Sequence, residues 1–380
     1  MALAFMPASV FNEENPSLWP LFTTVASVRP KFAHGAAIMV AIGGWGATAS
    51  FSIAAATQKN RRRFAYNVRA MVDQTGPDVV NIDWEYPGGN GEDYKQIPNS
   101  EKAWEIEAYP ELLQEIRLAL GPDKSISAAV PGHPREMLAF TKETMPKISS
   151  VLDFINVMTY DLVNRRDNVT GHHTGLASSL AGIEAFLENG LEPEKANLGF
   201  AFYPRWYKTD PNGNCGANPM GCKTLLMEDP SSGADLGRAG AFAWSDDVPT
   251  DLSMSFHRAL PHGLYDNGKG GHYFWDTGED IFWSWDTPVA ISKKFPAIME
   301  RLSLGGVFAW GLGEDSSDWP HLQALTANSR GSREAQRISN GRQRTNSDRK
   351  FVRRKQWRRR HQRQASLDCP AHPPREYAIQ

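Results

Sequence analysis

Three cysteines in 380 residues cannot staple a chain of this length, so the fold has to rest on a packed core and not on a disulfide framework. No stretch of 18 consecutive apolar residues occurs, which excludes a conventional transmembrane helix. The opening "MALAFMPASVF" carries no basic residue ahead of its apolar ones, so it does not read as a secretion signal. Acidic residues are scarce in one region: from 327 to 380 there are 4 of them against 15 Lys and Arg. The formal net charge of -2 therefore averages an acidic body, residues 1–326, with a basic tail, residues 327–380. The tail run "RKFVRRKQWRRRHQR" has no apolar period and is expected to be disordered. Taken alone it suits a nucleic-acid patch or an unrelated extension, and nothing in the body points to nucleic acid.

What is present is apolar bulk in alternating order. Hydrophobic residues make up 41% of the chain and aromatics 11%, enough for one large core. Short apolar runs begin at Ala2, Ala37, Val79, Ser125, Asp153, Asn197 and Gly305, and amphipathic stretches such as "NRRRFAYNVRAMVDQ" and "EIEAYPELLQEIRLAL" lie between them. Strands alternating with helices predict a parallel α/β fold, and the polar, Gly-rich or aromatic loops after the strands fit the mouth of a (β/α)8 TIM barrel. Only seven strands are visible. Because the first starts at Ala2, the barrel's opening strand is expected to precede Met1. Residues from about 208 to 266 are rich in Gly, Pro and Asp and too long for a plain loop, which predicts an insertion between strands seven and eight of a complete barrel. Cys215 and Cys222, in "CGANPMGC", fit either a local disulfide in an oxidising compartment or two free thiols.

The densest polar pattern is "PDVVNIDWEYPGGN", Pro77 to Asn90. Side chains alternate along a strand, so Asn81, Asp83 and Glu85 share one face while Val80, Ile82 and Trp84 share the other. The apolar set is expected to meet covering helices. The polar set should point inward and climb to the C-terminal mouth, with Glu85 highest. Acids aimed into a core are costly without partners, which favours a chemical role over a structural one. Glu85 is the candidate general acid, kept protonated by desolvation and a like-charged neighbour, and Asp83 is its modulator.

This pattern resembles glycoside hydrolase family 18, the chitinase family, in its fungal type. The family's strand-four signature D-x-x-D-x-D-x-E reads here as Asp78, Asn81, Asp83 and Glu85. "AIGGWG" at Ala41 to Gly46 is similar to the strand-three S-x-G-G motif with Ala41 in place of Ser, "NVMTYDL" at Asn156 to Leu162 to the strand-six M-x-Y-D motif, and "GGVFAWGL" to the strand-eight end. The motifs occur in family order and cover residues 2–326.

The resemblance implies retaining hydrolysis of chitin or chitooligosaccharides, endo-acting, in which the substrate's own N-acetyl oxygen attacks the anomeric carbon. Glu85 would protonate the glycosidic oxygen and then act as base for water. Asp83 would orient the acetamido N–H, with Asn81 beneath it in the row and Asp78 as the first catalytic position of the signature. Tyr160 would bond the acetamido carbonyl, Met158 and Asp161 would shape the same pocket, and Trp310 would lie under the reacting sugar. Trp45, Gly44, Tyr86, Tyr203 and Arg205 are further substrate-binding candidates. No metal or organic cofactor is implied, and the family suggests a secreted monomer without a membrane span. Asn81 stands where the family has Asp and is expected to hold Asp83 in place with a changed pH profile. "LVNRRDN" replaces the usual H-G-x-W after the strand-six Asp, so subsites on the leaving-group side should differ. Two alternatives remain open: an endo-β-N-acetylglucosaminidase acting on N-glycans, and an inactive chitin-binding lectin-like member.

Overall fold

Six of the apolar runs form consecutive strands of one parallel sheet: β1 (Ala2–Met6), β2 (Met39–Gly43), β3 (Val79–Asp83), β4 (Ser125–Pro131), β5 (Phe154–Met158) and β6 (Ala196–Ala201). An excursion then contributes β7 (Arg205–Lys208), β8 (Ala239–Ala241), β9 (Leu264–Tyr265), β10 (His272–Asp276) and β11 (Ile281–Trp285), after which β12 (Gly306–Trp310) pairs with β6. The result is a curled seven-stranded parallel sheet with helices outside it, the expected barrel architecture. The structure is a computed structural model that describes residues 1–331.

Strand parity sets the core. Val80, Ile82 and Trp84 are buried under the helices; Trp84 stacks on Phe51 at 5.4 Å and meets Tyr109 edge-on at 5.7 Å. The helix Gln58–Thr75 starts where the Thr57 side chain accepts the Asn60 N–H and stops at Gly76, whose φ of 72° suits a left-handed cap. Its Phe64, Val68 and Met71 pack against Leu112, Leu113 and Ile116 of the helix Glu105–Leu120, all fully buried. Each such side chain contributes roughly 1.5–3 kcal/mol.

The insertion is longer than its composition implies. It forms a five-stranded antiparallel sheet, ordered β8-β7-β11-β10-β9, that spans Arg205–Trp285 and not about 208–266. The aromatic run "GHYFWDTGEDIFWSWDTP" makes the β10–β11 hairpin, and its Trp283 and Trp285 are buried with Phe256 in a separate core. The insertion is anchored to the barrel by buried polar contacts. Asp286 Oδ2 accepts from Lys294 Nζ at 2.5 Å and from Thr174 Oγ1 at 3.0 Å, and Ser284 Oγ accepts the His173 N–H. Within it Cys215 and Cys222 are joined as a disulfide, Cα atoms 5.2 Å apart.

Residues 327–331, the first of the expected tail, continue a helix that starts at residue 320. The remainder of that expectation, residues 332–380, lies outside the described residues. Among the described residues no helix is long and apolar enough to cross a membrane.

Candidate active site

The strand that carries the acids is clamped from both sides at its upper end. Gly43 has φ 109°, and a Cβ there would sit 2.3 Å from the Asp83 carbonyl oxygen, so only glycine lets β2 run this close. The Gly44 N–H donates to that same carbonyl at 2.9 Å. One step higher, Thr48 Oγ1 donates to the Glu85 carbonyl oxygen at 2.7 Å. Glu105 accepts the Gly88 N–H at 2.9 Å and the Ser52 hydroxyl at 2.6 Å. The backbone under Glu85 is thereby tied to the β2 loop and to the helix beside it. The peptide bonds Glu85–Tyr86 and Trp310–Gly311 at this rim are cis.

A cavity of about 780 Å³ opens above the strand ends. Asn81, Asp83, Glu85 and Tyr86 line it from β3, Met158, Tyr160 and Asp161 from β5, and Tyr203 and Arg205 from the start of the insertion. Trp45 and Trp310 line its rim, 49% and 38% exposed. Trp310 stacks on Phe5 at 5.3 Å with only 18° between the rings, a contact that joins the two edge strands β1 and β12.

Two predicted site residues are not in this cavity. Asp78 lies at the opposite end of β3, where its carboxylate accepts from Arg29 Nη1 at 2.8 Å and from the Ile38 N–H at 2.7 Å. It is a strand-start clamp: five residues before Asp83, the pleat has carried it to the N-terminal end of the sheet. Gly44 packs on the Phe5 ring, 2.9 Å from where a Cβ would be, and supplies closeness and not surface. Asn81 also differs from expectation. Both of its side-chain hydrogen bonds end on its oxygen, from Ser127 Oγ at 2.8 Å and Asn156 Nδ2 at 3.2 Å, and none goes to Asp83.

Burial dominates the electrostatics. Asp83 Oδ1 is buried with no hydrogen-bond partner, and desolvation pushes its carboxyl up from the usual range. Glu85 is held well above that range, first by desolvation and then by the Asp83 charge, with Asp161 and Glu136 adding smaller repulsions and a hydrogen bond from Tyr86 opposing them. One upper carboxyl thus keeps its proton near neutrality. Asp161 has the opposite fate. Burial alone would raise it, but Arg205 Nε donates to its Oδ1 at 2.6 Å and the Tyr203 hydroxyl at 2.9 Å, and the carboxyl is held well below the ordinary value. Tyr160 is pushed up by burial and by the Asp83 and Glu85 charges, so it stays a neutral phenol able to donate. Among the described residues no group of three or more His, Cys, Asp or Glu is placed to hold a metal ion.

The description "Glycosyl hydrolases family 18" matches residues 3–315. The chain belongs to this family. Proteins similar to it include "Endochitinase 1" of Metarhizium anisopliae, 26% identical over 304 residues that cover 77% of this chain and 65% of that protein, and "Nod factor hydrolase protein 1" of Medicago truncatula, 27% identical over 299 residues, 74% and 69%. The chain therefore spans just under two thirds of the Metarhizium protein. Among solved structures, a Rhizomucor miehei chitinase shares the fold with TM-score 0.67 at 20% identity, covering 86% of this chain and 93% of that one. A Cycas revoluta family 18 chitinase in complex with (GlcNAc)3 does so with TM-score 0.59 at 22% identity, covering 81% and 83%.

Several residues of this family 18 cavity escaped sequence reasoning. Phe5 and Phe308 looked like ordinary strand apolar residues, yet both line it. Asn156 and Asn197 line its floor; parity with Met158 and Tyr160 was a usable signal for Asn156. Arg166, in the unusual "LVNRRDN", lies over the Tyr94 ring at 4.0 Å and over Trp45 at 5.4 Å. It donates to the Asn90 and Gly91 carbonyls at 2.8 and 3.0 Å. Glu136 was passed over because nothing in its local pattern distinguishes it from a surface acid.

Proposed function

We propose that this domain hydrolyses β-1,4-linked N-acetylglucosamine polymers, with Glu85 as general acid and base and the substrate's acetamido group as nucleophile. The observation that carries the reading is the stack of two desolvated carboxyls on one strand, Asp83 below and Glu85 above, inside a cavity walled by Tyr160 and Trp310. A retaining glycosidase that forms a covalent intermediate needs a second carboxyl across the scissile bond from the acid. Asp83 sits beneath Glu85 on the same strand, and Asp161 is engaged by Arg205 and Tyr203. The other lining carboxylates, Glu136 and Asp235, lie against Arg135, Arg166 and Arg165, which supports the sugar's acetamido group as nucleophile, as in the family.

Glu85 gives its proton to the glycosidic oxygen while the acetamido carbonyl oxygen bonds to the anomeric carbon and the C–O bond to the leaving sugar breaks. Asp83 accepts the acetamido N–H and balances the positive ring that results. Tyr160 donates to the acetamido oxygen and aims it, and Tyr86, Ala129 and Met158, packed as one apolar cluster, receive the methyl group. Water then adds to the anomeric carbon as the bond from that carbon to the acetamido oxygen breaks, and gives a proton to the Glu85 carboxylate, which restores the acid. Trp310 presents a flat face to the reacting sugar, whose C–H groups pack on it while its hydroxyls stay hydrogen-bonded.

The Cys215–Cys222 disulfide, together with a relative named "Secreted chitinase LysM12" from Penicillium expansum, supports an extracellular location. Incubation with chitohexaose and with a high-mannose glycopeptide tests the reading. Cleavage of chitohexaose that Glu85→Gln abolishes is expected. Cleavage of the glycopeptide alone, or turnover that survives the substitution, would overturn it.

A further inference from the structure

The floor of the cavity is an amide ladder. Asn197 Nδ2 donates to Asn156 Oδ1 at 2.9 Å, Asn156 Nδ2 donates to Asn81 Oδ1 at 3.2 Å, and Ser127 Oγ donates to the same oxygen at 2.8 Å. The three asparagines sit on β5, β6 and β3, and Ser127 faces Asn81 across the β3–β4 register. On the other side of Asn81 the register partner is Ala41, which has no polar group to offer. All polar anchoring of Asn81 therefore comes from β4 and beyond.

Direction matters in such a chain. With the Asn197 donor on its oxygen, Asn156 has only its N–H2 to turn toward Asn81. Rotating the Asn81 carboxamide by half a turn would set N–H2 against N–H2 and break the ladder. The Asn81 oxygen is thus committed and its own N–H2 makes no hydrogen bond, while two residues up the same face Asp83 Oδ1 is a buried acceptor with no partner. Same-face neighbours on a strand are about 6.6 Å apart at Cα; no hydrogen bond joins the two side chains in the structure, and with Asn81 fixed it is the Asp83 carboxylate that turns to meet the N–H2.

We propose that Ser127, Asn156 and Asn197 are positioning residues that lock the Asn81 carboxamide with its N–H2 toward Asp83, so that a neutral donor, and not a second carboxylate, holds Asp83 as the anion. The proposal rests on Asp83 and Glu85 being the reacting pair. The titratable groups facing Asp83 are Glu85 and Tyr86 from its own strand end, Tyr109 from the helix Glu105–Leu120 and Tyr160 from the end of β5. Glu136 and Asp161 act on Glu85 from further out, beside their own cations Arg135 and Arg166, and Arg205. None of the groups facing Asp83 is a cation, so neutral donors, the Asn81 amide and the tyrosine hydroxyls, are left to favour its charge, and of these the amide is the one on its own strand face.

Ser127→Ala, a near-isosteric change outside the cavity lining, and Asn197→Ala test the ladder separately. On chitopentaose each variant is expected to lose about tenfold in kcat, the rate equivalent of one hydrogen bond, with KM within about twofold. The acid limb of its pH–kcat profile should move to higher pH, because Asp83 without its donor is harder to ionise. Soluble variants whose acid limb coincides with that of the parent would overturn the proposal. A second readout needs no turnover: in equilibrium unfolding followed against pH, the loss of stability on raising pH should extend to higher pH in Ser127→Ala. If the parent cleaves no chitooligosaccharide, the proposed function fails by itself. The ladder is then judged on the unfolding titration, where identical curves would overturn it.

Discussion

Replacing Glu85 with Gln should abolish turnover and yet stabilise the fold increasingly as pH rises. Burial, and then the Asp83 charge, hold the Glu85 carboxyl well above the carboxylate range, whereas in the unfolded chain a glutamate titrates near about 4.3. Between those two values the folded state binds a proton that the unfolded state has lost. The stability that Glu85 contributes is therefore complete below about pH 4.3 and is lost as pH climbs toward the folded value, at about 1.4 kcal/mol per unit. The loss accumulates with each unit of pH until the folded value of Glu85 is reached. Gln keeps the shape and has no proton to hold. Urea unfolding of both proteins at pH 5, 6, 7 and 8 reads the difference. The curves should nearly coincide at pH 5 and separate steadily, with the variant the more stable. A stability difference that stays constant with pH would refute the view that Glu85 sits protonated in the cavity.

Trp310→Ala should raise KM for chitooligosaccharides roughly tenfold or more by removing the face on which the sugar packs; a melting temperature close to that of the parent would show that the loss is not unfolding. Arg205→Met takes away the nearest cation of Asp161, whose carboxyl should rise into the ordinary range. A second ionisation should then join that of Asp83 on the acid limb, so activity of the variant falls more steeply than that of the parent as pH drops toward about 4, as a pH–rate profile would reveal. Converting Cys215 and Cys222 together to Ser opens an eight-residue loop, worth up to about 2.5 kcal/mol by chain entropy. Faster hydrogen exchange should appear in the insertion, residues 205–285, and leave β3 protected.

The barrel and its acid row were legible because both depend on local rules. Apolar runs at strand length placed all seven parallel strands, and the period of two put Asn81, Asp83 and Glu85 on one face and Trp84 under the helices. Asp78 came with the motif, although parity puts it on the face of Val80 and Ile82 and its carboxylate lies at the other end of the strand. The insertion was visible as a break in composition, but its edges were not. Arg205 and Trp285 sit in apolar, β-prone sequence that could equally have served the barrel. Asn156, Asn197 and Ser127 matter through neighbours on other strands, between 41 and 75 positions away for each hydrogen bond, and such pairings are properties of register that no single strand displays. Glu136 and Arg166 owe their place to loops, whose course a sequence of this kind leaves open.

The central claim is that the substrate's own acetamido group is the nucleophile, with Glu85 as the one proton donor. Hydrolysis of partially deacetylated chitin tests it most directly, since each new reducing end derives from the sugar that occupied the reacting position. Mass spectrometry of the products should find N-acetylglucosamine at every new reducing end with the parent protein, and no cleavage with Glu85→Gln. Glucosamine at new reducing ends would contradict the account, as would cleavage by the variant.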